Sequence, residues 1–471
     1  MGGAGAEEIE AAVRAGEVGR ALRLADAVLR TPDREDRDRA AGALAAAYAA
    51  RGHWSSAAAL YGDLPDVDSA LLRSIALLMT GVVDDGPAPV GGAPPPFTRS
   101  LELLATGLRG TLAGSLVEAF EQLTESAQLA TARPDALVPD SAHAVAAVVA
   151  CELHEFDAAA VLLAGAIELA VGEELLATRH RLLSAWVALR SGRWADAQRM
   201  LAEIDPSSLE ARDAVAAAAI EAGLALRTGD LDRLLAARAQ IVQAVNLHPV
   251  DLLSLPLFAE LVAAATRLEA LGDLGRIDAA SIELLERVDG APLWTIAARW
   301  ARFRGAAMAG DADAAGAEHQ RLAAAPVPRL APLVAAATTW LEVVRGTVDR
   351  ERVEAAATAL EGIGLRWEAA QLIGSAAVRA DDSSVARALL TRARDLRASL
   401  PSLGGTDGPV VLTEREREIG ACLLDGLSHK EIGAHLFISA KTVEHHVARI
   451  RTKLGARSRA ELLTLVRREL A

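Results

Sequence analysis

The stretch Ser184–Leu201, SAWVALRSGRWADAQRML, decides what most of this chain can be. A run of helix-forming residues ends at Gly192. Glycine adopts without strain the left-handed conformation that closes many helices. Beyond it, Trp194, Ala197 and Leu201 follow at spacings of three and four, the period of one helix face. The stretch predicts two helices joined by a tight turn, with alanines letting the two backbones approach closely. Its frame is a turn residue, a skipped position, an apolar residue, two skipped positions and an alanine.

The frame recurs at Gly16-Val18-Ala21, Gly52-Trp54-Ala57, Gly114-Leu116-Ala119 and His154-Phe156-Ala159. Looser copies stand at Gly229-Leu231-Leu234, Gly272-Leu274-Ile277, Gly310-Ala312-Ala315 and Gly346-Val348. Turn positions 16 and 52 are 36 residues apart, and those from 114 onward are separated by 40, 38, 37, 43, 38 and 36. Such a period marks an array of stacked units. The opening stretch and Ala46–Tyr61, AAYAARGHWSSAAALY, resemble tetratricopeptide repeats. The resemblance runs over roughly residues 7–400, with spacing less regular than the family's period of about 34 residues. It implies an α-solenoid over residues 1–400 that acts as a sensor or interaction domain. One interruption, VVDDGPAPVGGAPPPF at Val82–Phe97, carries five prolines. It cannot continue a helix and is read as an exposed loop, with Asp84 and Asp85 in a solvated turn.

Composition narrows the function. Hydrophobic residues make up 52% of the 471 and charged residues 24%, enough to bury large cores. No apolar run reaches the length of a membrane span. The start, MGGAGAEEIEAAVRAG, lacks the basic and apolar regions of a secretory signal. Cys151 and Cys422 lie in different segments and offer neither a disulfide framework nor a metal cluster. A cytoplasmic protein without membrane contact is expected. No enzyme constellation stands out. No lysine precedes Lys430, which removes the phosphate-binding Gly-Lys-Ser/Thr loop. His154 lacks the second histidine of a zinc-protease helix. Cys422 falls on an apolar helix face and reads as a buried structural thiol. No catalytic residue, metal ligand or cofactor is therefore assigned. The seven tryptophans read mostly as repeat core, with room for one to line a ligand pocket.

Charge is uneven. The net charge is -14, yet Ser428–Ala471 holds 9 basic and 4 acidic side chains. All three lysines, Lys430, Lys441 and Lys453, sit within it. A basic tail on an acidic body points to a polyanionic partner for the tail.

The tail follows PSLGGTDGPVV, residues 401–411, a linker by its glycine and proline. Residues 412–471 then form a third region. Thr413-x-x-Glu416, Ser428-x-x-Glu431 and Ser458-x-x-Glu461 each match a capping box, and Ser439 is a further N-cap candidate. Four helices are expected over about 413–424, 428–436, 439–454 and 458–468. In the third, Val443, Val447, Ile450 and Leu454 form one apolar stripe. The opposite face carries Lys441, His445, Ala448, Arg449 and Thr452, flanked by Glu444 and Arg451 on one side and Thr442 and Lys453 on the other. A helix packed on one side and basic on the other suits a major groove. The helix before it, with Ile432 and Leu436 turned inward, is its brace.

LTEREREI…DGLSHKEIGAHLFISAKTVEHHVARIRTKLGARSRAELLTLV closely resembles the LuxR-type helix-turn-helix domain of bacterial transcription regulators. The resemblance implies an all-α chain: a tetratricopeptide-like α-solenoid followed by a small four-helix domain that binds double-stranded DNA. It implies base-facing positions at Glu444, His445 and Ala448. It assigns phosphate contacts to Lys430, Ser439, Lys441, Thr442, Arg449 and Lys453, and homodimerisation to Leu462, Leu463 and Val466. Many relatives carry lysine in place of Glu444 and asparagine in place of His429, so sequence preference does not transfer. A repeat array ahead of this domain looks like the C-terminal part of the large ATP-binding LuxR-type regulators, without their ATPase. The expected function is a sequence-specific transcription regulator whose array senses a ligand or partner. It would be cytoplasmic, and nucleoid-associated when bound to DNA. The competing expectation is a protein-binding scaffold whose last domain serves dimerisation.

Overall fold

The turn residues of the frame carry the architecture. In the computed structural model, Gly16, Gly52, Gly114, Gly192, Gly229, Gly310 and Gly346 have φ between 69° and 93°. His154 takes the same left-handed conformation at φ 62°. The residue after each turn donates its amide to the carbonyl five positions back. Examples are Arg193 to Ala188 at 2.8 Å, His53 to Tyr48 at 2.9 Å and Glu155 to Ala150 at 2.8 Å. This bond satisfies a helix-end carbonyl and reverses the chain within two residues. The structure describes residues 5–29, 33–87, 93–230, 232–237, 242, 250–268, 274–288, 290–324, 327, 330–399, 414–436, 443–444, 446–447, 450–451 and 459–470. Gly272 lies outside them.

Two units are present, Met1–Leu400 and Pro401–Ala471. The first runs through α1 (Ala6–Arg14), α2 (Val18–Val28), α3 (Arg34–Ala50), α4 (Trp54–Gly62), α5 (Val67–Met79), α6 (Pro96–Ala113), α7 (Leu116–Ala130), α8 (Ala142–Glu152), α9 (Phe156–Glu168) and α10 (Glu173–Arg190). It continues through α11 (Trp194–Ala202), α12 (Ala211–Thr228), α13 (Leu255–Arg267), α14 (Gly275–Arg287), α15 (Pro292–Ala309), α16 (Ala312–Ala323), α17 (Ala331–Val344), α18 (Arg350–Gly362), α19 (Arg366–Arg379) and α20 (Ser383–Ser399). Among the described residues there is no strand. Most helices pack on their sequence neighbours; α13 packs on α15 across α14.

The alanine of the frame explains why the paired helices can touch. Ala21, Ala57, Ala159, Ala197 and Ala315 are fully buried and Ala119 is 1% exposed. A larger side chain there would push the two helices apart. The apolar frame position starts the second helix: Val18, Trp54, Leu116 and Trp194 are buried where α2, α4, α7 and α11 begin. Six tryptophans are core as read, Trp54, Trp186, Trp194, Trp294, Trp300 and Trp340; Trp367 is half-buried.

Units far apart in sequence also meet. Arg14 pairs with Glu173 at 3.5 Å, and Arg51 with Glu210 at 2.8 Å. The indole N–H of Trp294 donates to Thr111 Oγ1 at 2.9 Å, and Arg287 donates to the Thr80 carbonyl at 2.7 Å. These partners stand 159, 159, 183 and 207 residues apart, about four to five repeat periods. The array therefore coils so that units four to five repeats apart meet at these points.

The proline-rich loop differs from its reading in one respect. Asp84 is not a solvated turn residue. Its Oδ1 accepts from Ser74 Oγ at 2.6 Å and faces Arg109 Nη2 at 3.3 Å, pinning the loop to α5 and α6. Pro95 and Pro96 lead into α6, where proline lacks an N–H that the helix would leave unpaired anyway.

Candidate nucleic-acid interface

The second unit contains α21 (Glu414–Leu424), α22 (His429–Leu436) and α23 (Arg459–Leu470). Between the last two, residues 443, 444, 446, 447, 450 and 451 are helical. Its core is Ile419, Cys422 and Leu423 of α21, Ile432 of α22, Val443 and Ile450, and Leu462 and Val466 of α23. Burying each of the aliphatic side chains contributes on the order of 2 kcal/mol. A core of this size leaves a domain of about 60 residues only marginally stable, so the helix ends matter.

They are well made. Gly426 ends α21 at φ 81°, and the Leu427 amide donates to the Cys422 carbonyl at 3.1 Å. This is the same closure used throughout the array. The Ser428 amide donates to Glu431 Oε2 at 2.8 Å, and the Glu431 amide to Ser428 Oγ at 3.4 Å. The expected capping box is formed. The Ser428 hydroxyl and amide hold the Glu431 carboxyl below its ordinary range. Lys430 sits exposed on the first turn of α22. Ile432 is fully buried and Leu436 packs against the same core, as a brace requires.

The expected reading helix has its inner face in place. Val443 and Ile450 are fully buried and Val447 packs beside them. Glu444 and Arg451 are exposed. Seven residues apart, they lie within about 20° of each other around the axis, turned away from the core. Of the other expected DNA contacts, Ser439, Lys441, Thr442, His445, Ala448, Arg449 and Lys453 lie outside the described residues, as does Leu454. Thr413 and Ser458 of the other two capping boxes do too.

The three residues expected at a dimer contact divide. Leu462 is 4% exposed and Val466 fully buried, both within the unit's own core; Leu463 is partly exposed. Spacing could not separate these roles, because positions three and four apart face the same neighbour.

The array holds a feature that sequence reading missed. Arg212 lies between two aspartates, at 2.9 Å from Asp140 and 3.1 Å from Asp251. Its guanidinium stacks 5.0 Å over Trp54, whose indole N–H donates to Asp251 at 3.0 Å. Arg179 stands beside it, 3.5 Å from Asp213 and 3.8 Å from Asp140. A second group follows. Arg190 meets Glu152 at 2.8 Å, Arg227 grips both oxygens of Glu260 at 2.7 and 2.9 Å, and Arg304 meets Glu368 at 3.3 Å. Arg227 and Arg304 stack on Trp367 at 4.7 and 5.0 Å. Burial alone would raise the Glu260 carboxyl, but Arg227, Arg304 and Arg190 outweigh it and hold it at about 2. Burial lowers His180 to about 4, where its ring meets Ser141 Oγ at 2.7 Å.

Beside the second group is a cavity of about 30 Å³, lined by Trp300, Arg304, Glu368, Ile296 and Leu333 among others. Trp300 Nε1 and Arg304 Nε are buried there without a hydrogen-bond partner among the described residues. Such a space admits one or two waters. No cluster of His, Cys, Asp or Glu among the described residues could hold a metal. No described helix is long and apolar enough to cross a membrane. Cys422 is buried as read, and Cys151 is buried too.

Comparison with known proteins locates the second unit. Residues 410–466 match the family described as bacterial regulatory proteins, luxR family. The oxygen regulatory protein NreC of Staphylococcus aureus strain JH9 is 47% identical over 58 residues, 12% of this chain and 27% of that protein. NreC of strain Mu3 / ATCC 700698 gives the same figures. The chain thus spans about a quarter of the length of the curated relatives it matches. Among solved structures, the crystal structure of yeast Tom70 is similar at 14% identity and a TM-score of 0.27, covering 83% of this chain and 88% of that one. The C-terminal unit carries a luxR-type helix-turn-helix domain, preceded by a helical repeat array.

Proposed function

We propose that the chain is a transcription regulator whose C-terminal domain binds double-stranded DNA in a sequence-dependent way, under control of the repeat array. The observation that carries this reading is the luxR-family match over residues 410–466. Its helix is packed through Val443 and Ile450 and presents Glu444 outward. In this reading Glu444, His445 and Ala448 meet base edges. Lys430, Ser439, Lys441, Thr442, Arg449 and Lys453 hold phosphates. A glutamate in a major groove can accept from a cytosine amino group.

Two copies binding an inverted pair of half-sites fit the usual geometry of such domains. Burial of Leu462 and Val466 leaves Leu463 as the member of that set with surface to offer a second copy, the other two fixing its helix. The array is the sensor in this reading, responding to a small molecule or a protein.

Selection of bound fragments from randomised duplexes by the full chain tests the function. A recovered inverted repeat supports it. Recovery of no sequence preference, together with a stable protein complex, favours the scaffold reading instead.

A further inference from the structure

The last helix of the array is charged unlike the rest of it. Residues 1–382 hold 34 basic and 53 acidic side chains, while α20 holds four arginines and one aspartate. Leu389, Ala393 and Leu396 bury one side of α20. At 100° per residue, Arg387 and Arg394 project almost opposite that side and Arg397 on its flank. All three are exposed, and none has an ion-pair partner among the described residues. The fourth, Arg392, pairs with Glu361 at 2.5 Å. The single acid, Asp395, is turned about 100° from Arg394 around the axis. Elsewhere on the array some exposed arginines, Arg20, Arg199 and Arg321 among them, are tied to carboxylates three residues away, while others such as Arg23 and Arg366 stand unpaired among the described residues, with acidic neighbours in the sequence.

We propose that α20 is a second DNA-contacting surface, in which Arg387, Arg394 and Arg397 grip backbone phosphates beside the site read by the C-terminal domain. The proposal rests on the DNA-binding reading above. Charge selects the partner: three unpaired guanidiniums within about 15 Å of helix suit a polyanion with a phosphate every few ångströms. Guanidinium also matches phosphate geometry in a bidentate fashion. Chain continuity supports the same partner. Only residues 400–413 separate α20 from α21, a span of at most about 50 Å when extended. That tether limits how far α20 can stand from DNA held by the C-terminal domain. These contacts would carry no sequence information; they would add affinity and orientation. A polar cap on the open end of a repeat array needs no such bias, since mixed charges serve solubility equally well.

The test uses the full chain and a random-sequence 40-bp duplex, with affinity measured by fluorescence anisotropy between 50 and 200 mM KCl. Removing three phosphate-binding side chains should lower the salt slope by roughly 2.7. The ratio of wild-type to variant affinity should then change about 40-fold across that salt range for R387Q/R394Q/R397Q. The lysine triple variant R387K/R394K/R397K should keep most of the slope. So should R20Q/R199Q/R321Q, which removes the same charge elsewhere on the array. An unchanged slope for the glutamine variant, in a chain that binds and that K441Q/R449Q weakens, overturns this inference alone. An equal loss in the remote control also overturns it, because the effect would then be net charge. Failure of the wild-type chain to bind any duplex at 50 mM overturns the function reading with it.

Discussion

In the proposed reading, Glu444 is the acidic group on the outward side of a helix whose sequence is otherwise basic, and its effect on DNA would have two parts: repulsion of phosphate and acceptance from a cytosine amino group. Glu444→Gln should raise affinity for random duplex several-fold while flattening preference among selected sites, both readable by competition binding. Two glycines give a matched stability test in the array. Gly192 has φ 84° with nothing within 4 Å of an added Cβ, so Gly192→Ala should cost about 1–2 kcal/mol from conformation alone. Gly165 is inside α9 with the same open space and no positive φ. There Gly165→Ala should stabilise by about 0.5–1 kcal/mol. Equal effects in thermal denaturation would show that the left-handed turn is not what Gly192 provides. Glu260 adds a pH dependence. Its folded carboxyl sits at about 2, below the unfolded range near 4.3. Its contribution is therefore present above about pH 4.3 and is lost as pH falls through about 2. Glu260→Gln leaves buried Arg227 poorly compensated and should destabilise by about 3–5 kcal/mol. The variant's melting temperature should also fall less steeply than wild type between those pH values.

At the scale of the element, the same glycine-closed turn organises both units, and the second unit depends on it more. Ser428→Ala breaks the capping box of α22 and should cost about 1 kcal/mol, lowering the denaturation midpoint of the C-terminal unit while the array's is unmoved. These turns were legible because each is local: a glycine, an apolar start and a small residue within six positions. Where the frame was incomplete, the turn was missed. Gly364 is left-handed at φ 83° and Ala369 is fully buried, yet Arg366 fills the apolar slot and hides the pattern. Gly81 closes α5 at φ 73°, but a proline loop follows instead of a helix. Asp84 was misread for a related reason, since its partners Ser74 and Arg109 come from two different helices. The positions of Leu462 and Val466 show the same limit: their helix was readable, but the side that the domain's own core would take was not.

At the scale of the whole molecule, the buried Arg–Asp and Arg–Glu groups were beyond reach of sequence because their partners stand 33 to 72 residues apart in separate segments, and coiling adds Trp54 to one of them. Trp54 and Asp251 stand 197 residues apart, and nothing in either segment names the other. Charges buried this way tend to fix geometry more than they stabilise it. The acidic surplus sits on the array, where residues 1–400 hold 38 basic and 54 acidic side chains, so on electrostatic grounds the array should slow approach to DNA. The fragment 405–471 should then associate with duplex faster than the full chain at low salt, a difference that shrinks as salt rises. The central claim is that the outward face of the helix containing Glu444 binds DNA. Its most direct test is the salt dependence of full-chain binding to a duplex, with and without Lys441→Ala plus Arg449→Ala. Removing these two phosphate-binding side chains should lower the slope of log K against log salt by about 1.8 and weaken binding to all sequences alike. An unchanged affinity and slope in the double variant would contradict the claim.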